Sequence, residues 1–188
     1  MISPQQSVET LGAATQEPRR PLTLPGANLG LIGLRHTVEL PEGYDYVNYL
    51  DPEAAAELLR GHYPDAKTTV EEWSSREASF MRHRYAIVHV GVRSHETDEL
   101  VGMGRLHYVD TWGGLSGFVV HTDHRSIGIG KAIIDERLNV ADQLGLNVVD
   151  IPCLESSNTL WSYYLAKGFK QTDDGGYIRT PKIQLIEG

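Results

Sequence analysis

Cysteine and long apolar runs are almost absent from this chain, and each shortage excludes a class of protein. A single cysteine, Cys153, among 188 residues excludes an internal disulfide and a cysteine-rich zinc site. No apolar run approaches the ~18 residues that a membrane-spanning helix needs. The first residues also lack a basic segment followed by an apolar core, so we expect no secretory signal. Together these shortages lead us to expect a cytoplasmic protein without a membrane partner.

Basic residues are also in deficit. The 17 lysines and arginines face 25 acids, and the formal net charge is −8, so we expect no nucleic-acid partner. Such a charge is compatible with a cationic substrate. The 8 histidines include no H-x-x-x-H pair on a predicted helix, so no metal site is expected. Residues 1–28 are rich in Pro, Gln, Thr and Ala and predict a flexible extension, while residues 29–188 predict one domain.

The order of apolar patterns predicts a mixed α+β fold. After a first strand come two helices, three antiparallel strands, a helix, a strand, a helix and two final strands. The connection from the strand at Leu115–Val120 through a helix to the next strand should run parallel. Asp110–Gly114 predicts the turn before Leu115. The predicted strands are Leu29–Leu40, Tyr85–Val92, Leu100–Tyr108, Leu115–Val120, Asn147–Cys153 and two around a turn at Asp173–Gly176, and the helices begin near Asp51, Thr69, Lys131 and Thr159.

The segment between Val120 and Gly145 predicts an anion-binding site. A short apolar strand is followed by a turn containing Gly128 and Gly130, and then by a helix whose apolar residues recur every three or four positions. The first turn of a helix carries unpaired N–H groups and partial positive charge. Glycines let an anion approach that backbone closely, and Arg125 and Lys131 add formal charge.

Two nucleotide-binding motifs are excluded here. A triphosphate loop of the form G-x-x-x-x-G-K-[ST] fails, because Arg125 stands at its first glycine and Ala132 follows the lysine. A dinucleotide motif, G-x-G-x-x-G, fails because its last glycine would be Ile133. The remaining pattern is R-x-x-G-x-G between a strand and a helix. A glycine-rich helix start without a ligand remains an alternative for this hexapeptide.

Three segments together resemble the GCN5-related N-acetyltransferase (GNAT) superfamily over about Gly33 to Ile186. R-x-x-G-x-G resembles the acetyl-CoA pyrophosphate loop of that family. The hairpin strand Leu100–Tyr108, LVGMGRLHY, is similar to the one that precedes the loop-bearing strand. The segment Asn158–Phe169, NTLWSYYLAKGF, resembles the family helix that carries a tyrosine five residues before a phenylalanine.

The resemblance implies the fold and the cosubstrate. We expect a mostly antiparallel, twisted sheet of about seven strands flanked by about four helices, with the fourth and fifth strands splayed apart. Acetyl-CoA would lie in that splay, with its pantetheine along exposed backbone and its pyrophosphate at the loop. No metal is expected. The residues implied to bind it are Phe118, Val119, Val120, Arg125, Ser126, Ile127, Gly128, Ile129, Gly130, Lys131, Ser157, Asn158, Tyr164 and Lys167.

The resemblance also implies a proton donor but leaves the base open. Tyr164 stands at the position of the family tyrosine that protonates the CoA sulfur, although an aromatic core contact is the alternative. Backbone N–H of Val119 or Val120 would stabilise the oxyanion. Many members carry Glu or His eleven or nine residues before the loop arginine, and those positions here are Gly114 and Ser116. The candidates for a base acting through water are His107, Asp110 and Glu155.

The implied function is acetyl-CoA-dependent N-acetyl transfer to a primary amine of a small molecule or peptide, and the resemblance suggests a homodimer. One alternative is a CoA-binding sensor or regulatory domain that lacks turnover, since the usual base is missing. Another is transfer of a longer acyl group. Acids outnumber bases between Asp51 and Phe80, which indicates either solvated helix faces or an acidic wall for the amine.

Overall fold

The described residues form one seven-stranded sheet with helices packed against it. The computed structural model describes residues 35–47, 49–62, 69–146, 148–150, 158–173 and 177–180. Within them the strand order across the sheet is β1-β2-β3-β4-β5-β7-β6. The strands are β1 (Tyr44–Val47), β2 (Ala86–Ser94), β3 (Leu100–Val109), β4 (Trp112–Val120), β5 (Val148–Asp150), β6 (Lys170–Gln171) and β7 (Tyr177–Arg179), and the helices are α1 (Pro52–His62), α2 (Val70–Arg82), α3 (Ile129–Gln143) and α4 (Asn158–Ala166).

Strand directions follow the sequence prediction. β1 to β4 pair antiparallel in succession, and β5 pairs antiparallel with β7. β4 and β5 pair parallel, as expected for two strands joined through a helix. Their paired part, within the residues that the structure describes, begins at Trp112 and ends where Gly114 meets Asp150. The mixed α/β architecture with a mainly antiparallel sheet is therefore confirmed.

The helices divide between the two faces of the sheet because alternate side chains of a strand point to opposite faces. Met103 of β3 packs in a cluster with residues of α1 and with Trp73 of α2. Leu106 of the same strand packs with Leu138 of α3 and Tyr164 of α4. One face of β3 and β4 is thus covered by α1 and α2, and the other by α3 and α4. No helix in the described part is long and apolar enough to cross a membrane.

The strand predicted at Leu29–Leu40 is wrong for residues 35–40, which the structure describes as a loop. The backbone N–H groups of Thr37 and Val38 donate to the Glu136 carboxylate of α3 rather than to a neighbouring strand. His36 Nδ1 lies 3.1 Å from the same carboxylate. Glu136 is fully buried beneath this loop, so a charge on the helix replaces strand pairing.

Two further sequence predictions can be compared with the described residues, with different outcomes. The turn predicted at Asp110–Gly114 is shorter, because β4 already begins at Trp112. The sequence also places Gly145 where a left-handed residue would end this helix, and Gly145 adopts that conformation, with φ +64°, after the C-cap Leu144 of α3. The predicted extension at residues 1–28 lies outside the described residues.

Candidate active site

The loop between β4 and α3 has the geometry of an anion site. After Val120 a short 3₁₀ turn at Thr122–His124 leads to Arg125, and the backbone turns left-handed at Ser126, with φ +65°, and at Gly128, with φ +105°. Gly128 is the N-cap of α3, and no side chain caps the helix start. The first N–H groups of α3 are therefore free of a side-chain cap and carry the positive end of the helix dipole.

Glycine at position 130 keeps this helix start narrow. A β-carbon on Gly130 would lie 3.3 Å from the Phe118 ring and 3.5 Å from Val120, so a larger side chain would press on the last residues of β4. A β-carbon on Gly128 would lie 3.6 Å from Pro41, so the loop at residues 35–41 closes one side of the helix start. Ile127, directly before Gly128, is 48% exposed. The end of β4 and the start of α3 are therefore packed closely together.

Arg125 is held in place by neighbouring groups. Its Nε donates to the Val120 carbonyl at 3.0 Å, and its Nη2 lies 2.6 Å from His62 Nδ1 of α1. Its backbone N–H donates to Thr122, so this N–H is already used within the loop. Burial and the adjacent guanidinium lower the pKa of His62, which favours the neutral imidazole as an acceptor. The Arg125 side chain therefore links the loop to the end of β4 and to α1.

A bulge in β4 exposes backbone beside this loop. Arg105 pairs with Ser116 and Met103 pairs with Val119, so β4 has one more residue than β3 between these pairs. Gly117 occupies the bulge with φ +60°, a conformation that favours glycine. Because described pairing between β4 and β5 ends at Gly114, the strand from Leu115 onward presents backbone groups that an extended ligand can pair with.

Tyr164 lies in the core and also makes a polar contact. It is only 3% exposed, and its ring packs edge to face on Phe169 with centroids 5.2 Å apart. Its hydroxyl accepts a hydrogen bond from Arg137 Nη2 at 3.4 Å. The structure thus shows the aromatic core contact considered from sequence, and the proton-donor role of Tyr164 stays a prediction.

Arg137 was not identified from the sequence, yet it links Tyr164 to the bulge. This fully buried side chain donates from Nη1 to the carbonyls of Arg105 and Ser116, at 3.3 and 3.4 Å. Gly104 makes room for it, since a β-carbon there would lie 2.8 Å from its Nε. Burial lowers its pKa and the neighbouring Tyr164 opposes that change. The sequence feature that could have identified Arg137 is a charged residue on the buried face of α3.

The His107 ring occupies the space that a side chain at position 114 would take. Position 114 is one of those at which many members of the resembling family carry a base. His107 pairs across the hairpin with Gly114, and a β-carbon on Gly114 would lie 2.5 Å from its Nε2. Its Nδ1 lies 3.3 Å from Ser116 Oγ, so Ser116 can fix the ring orientation. Burial and the Arg105 charge lower the pKa of His107 to about 4, against an opposing effect of Glu77. The imidazole is therefore unprotonated near pH 7.

Helix α2 closes this side of the site with aromatic and charged groups. The Phe80 and Tyr85 rings lie 4.5 and 5.5 Å from the His107 ring. Glu77 is the one acid among those described on α1 and α2 that is not exposed, and it lies 3.2 Å from Arg105 Nη1. The hypothesis of an acidic wall stays a prediction, since Asp51 and Glu57 are exposed and line a cavity beside α1. The described acids at exposed positions are Asp51, Glu53, Glu57, Glu71 and Glu72.

The remaining candidates are more distant or outside the described residues. Asp110 is exposed in the turn between β3 and β4 and does not join His107. Glu155 and Ser157 lie outside the described residues, as does the side chain of Asn158, the residue at which α4 begins. Lys167 Nζ lies 2.7 Å from Asp135, so its charge is paired. Lys131 lies over the Tyr163 ring at 6.0 Å.

Tyr163 and the loop histidines have contacts of their own. The Tyr163 hydroxyl donates to Asp135 at 2.6 Å, and burial followed by this hydrogen bond raises the pKa of Tyr163. His124 Nδ1 lies 2.9 Å from the Tyr44 hydroxyl, and His121 accepts from the backbone N–H of Asp123. Across the described ranges, no three His, Cys, Asp or Glu side chains are grouped as a metal site requires.

The comparison with protein families identifies the class that this fold and loop define. The family model described as Acetyltransferase (GNAT) family matches residues 52–169. The chain belongs to the GNAT acetyltransferase family. No curated protein matches the sequence significantly.

Solved structures agree in fold at low sequence identity. The PaiA N-acetyltransferase of Thermoplasma acidophilum, in complex with coenzyme A, is 16% identical with a TM-score of 0.55, covering 73% of this chain and 98% of that one. A GNAT-family acetyltransferase of Staphylococcus aureus is 14% identical with a TM-score of 0.60, covering 74% and 99%. The ribosomal-protein-S18-alanine N-acetyltransferase of Escherichia coli is 14% identical with a TM-score of 0.57, covering 77% and 98%.

Proposed function

We propose that this protein is an acetyl-CoA-dependent N-acetyltransferase that acetylates a primary amine of a small molecule or peptide. The supporting observation is the position of Ser116 at the bulge of β4. Its hydroxyl lies next to the His107 imidazole, and its carbonyl accepts from Arg137, which also donates to the Tyr164 hydroxyl. A proton acceptor and a proton donor are thus joined through one residue of the strand that leads into the anion-binding loop.

The described residues fit acetyl-CoA. The uncapped N–H groups at Ile129 to Lys131 would bind the pyrophosphate, because the helix start supplies donors and partial positive charge. The backbone of Phe118–Val120 would pair with the amide groups of the pantetheine arm, in the manner of an added strand. Glycine at 128 and 130 keeps the approach open. The PaiA neighbour, which holds coenzyme A, supports this assignment through its shared fold.

Each residue then has a defined part in the transfer. The thioester supplies an acetyl group that is activated towards attack by an amine. His107 accepts the proton that the acceptor nitrogen loses as its bond to the acetyl carbon forms, directly or through a water molecule. Backbone N–H of Val119 or Val120 stabilises the negative charge on the carbonyl oxygen. Tyr164 donates its hydroxyl proton to the departing sulfur, and the Arg137 guanidinium stabilises the resulting phenolate.

The experiment is thiol release from acetyl-CoA with a panel of primary amines, together with calorimetry of coenzyme A binding. Turnover with at least one amine, accompanied by an acetylated product in the mass spectrum, is the expected result. Tight binding of coenzyme A without turnover on any amine would favour the sensor or regulatory alternative. Failure to bind coenzyme A would overturn the proposal as a whole.

A further inference from the structure

Arg105 of β3 has a buried guanidinium that is only partly used. The residue is 5% exposed, and its guanidinium lies between the rings of Trp73 and Phe80, 4.9 and 5.0 Å from their centroids. Nη1 lies 3.2 Å from Glu77 Oε1, an ion-pair distance. Nε, in contrast, has no hydrogen-bond partner among the described residues. A buried donor without a partner costs about 1–3 kcal/mol, so this atom is expected to have one when the site is occupied.

The unused edge of Arg105 faces the bulge of β4. Nη2 lies 3.3 Å from the place that a β-carbon of Gly117 would take, and Nε lies 3.7 Å from it. Glycine leaves that space empty. Nε and Nη2 together form one of the guanidinium edges that bind a carboxylate through two parallel hydrogen bonds. The free edge therefore points towards the strand at which the acyl group is proposed to be received.

Glu77 is the acidic side chain that contacts Arg105, and its carboxylate also contacts a histidine. Glu77 is shared, since its other oxygen lies 3.3 Å from His89 Nε2. Both ring nitrogens of His89 lack a hydrogen-bond partner in the described part of the chain. The Arg105 charge also contributes to the lowered pKa of His107. Glu77 contacts the guanidinium at Nη1, so the Nε and Nη2 edge is available to a ligand carboxylate.

We propose that Arg105 binds a carboxylate of the acceptor through its Nε and Nη2 edge, so that the acceptor is an amino acid or a related amine bearing a carboxylate. This rests on the proposed function and names the substrate class of the same site. His107 and Arg105 lie two residues apart on one face of β3, a spacing of about 7 Å. The amine of such an acceptor is held near His107 while its carboxylate contacts Arg105. The aromatic rings of Phe80 and Tyr85 lie beside His107.

The test uses matched triplets of acceptors with the full-length wild-type protein. Each triplet contains an amino acid, its carboxamide and the amine without either group, for example phenylalanine, phenylalaninamide and phenethylamine. The expected kcat/KM for the best amino acid exceeds that for its amide and amine by on the order of ten- to a hundredfold, because a charge-assisted bidentate contact is lost in both. Equal values, or a preference for amides and N-terminal peptides, would overturn the proposal.

Variants assign any preference to Arg105. Arg105→Gln is expected to abolish the preference for the carboxylate, and Arg105→Lys, which keeps the charge without the planar fork, to retain only part of it. Arg76→Gln is the matched control, because Arg76 lies on α2, is exposed and contributes to the lowered pKa of Arg105. A preference that survives in Arg105→Gln, or that disappears equally in Arg76→Gln, contradicts the assignment. The wild-type triplets decide the substrate class even if the Arg105 variants fail to fold.

A binding measurement separates this inference from the proposed function. Phenylalanine and phenethylamine are titrated into the coenzyme A complex by calorimetry, in wild type and in Arg105→Gln. Binding that requires both the carboxylate and Arg105, without turnover, supports the carboxylate site and contradicts the transferase. Turnover of amines with no dependence on the carboxylate supports the transferase and contradicts the carboxylate site.

Discussion

His107, the proposed proton acceptor, can be replaced by a carboxylate at position 114 of the neighbouring strand. His107→Ala removes the imidazole that lies over Gly114, and Gly114→Glu places a carboxylate at the position where many family members carry one. The two positions are direct cross-strand partners, so the carboxylate of the double variant enters the space that the imidazole vacates. We therefore expect His107→Ala to inactivate the protein and the double variant to recover activity.

The expected magnitudes follow from the contacts. Loss of a general base typically lowers turnover by about 10²- to 10⁴-fold, which is our expectation for His107→Ala. Gly114→Glu alone should also be impaired, because its β-carbon would lie 2.5 Å from His107 Nε2 and must displace the ring. The double variant is expected to return to within roughly tenfold of wild type, since a carboxylate then acts as the base.

Protein stability gives a second measure of the same residue. The pKa of His107 is lowered from 6.5 to about 4, so the unfolded chain binds the proton more tightly than the folded protein. Its contribution to stability is therefore complete above pH 6.5 and is lost as the pH falls towards 4. The limit for that shift is about 3 kcal/mol, and partial exposure of the ring reduces our expectation to about 2 kcal/mol. His107→Ala should lose this part of the pH dependence.

The assays are thiol release at saturating acetyl-CoA and urea unfolding between pH 7 and pH 4.5. His95→Ala serves as the control, because His95 is exposed in the turn between β2 and β3 and should change neither activity nor its pH dependence. Wild-type turnover in His107→Ala would refute the assignment of His107 as the base. A folded double variant with no recovered activity would show that a carboxylate at Gly114 cannot replace the imidazole.

Three other substitutions test the remaining parts of the site and fold. Tyr164→Phe is expected to lower turnover by about ten- to a thousandfold while coenzyme A affinity, measured by calorimetry, changes little; unchanged turnover would make Tyr164 a core residue only. Gly130→Val, whose β-carbon meets Phe118 at 3.3 Å, should weaken coenzyme A binding, and wild-type affinity would remove the helix start from the site. Glu136→Gln should cost about 2 kcal/mol in urea unfolding, because charged hydrogen bonds to His36 and the Thr37 backbone are weakened; an unchanged midpoint would contradict this role.

Local sequence patterns were sufficient to predict the loop before α3 and most of the helices and strands. Gly128 and Gly130 in R-x-x-G-x-G, followed by an apolar stripe, indicated a helix start open to an anion, and the structure has α3 beginning at Ile129. The first strand was mispredicted because apolar alternation in residues 35–40 resembles a strand, while the partner that decides their pairing, Glu136, lies far along the chain. Such distant competition is invisible to a short window.

The contact between His107 and Gly114 could have been predicted from the sequence. Counting outward from a two-residue turn at Asp110 and Thr111 pairs His107 with Gly114, as the structure does. The longer turn predicted for this segment concealed that pairing. Glycine opposite a long side chain is then informative, because the missing β-carbon leaves room for the partner. Arg137 against Gly104 repeats this arrangement, but between a helix and a strand whose register no sequence pattern specifies.

The sequence by itself determined the order of the elements after the first strand, the parallel crossover and the glycine-containing helix start, because these depend on neighbours within a few residues. Only the tertiary structure decided which side chains meet across the sheet. It brought Ser116 between His107 and the Arg137–Tyr164 pair, and it left Arg105 Nε without a hydrogen-bond partner among the described residues. These contacts depend on strand register and on the packing of α2 and α3, which are properties of the whole domain and not of any local segment.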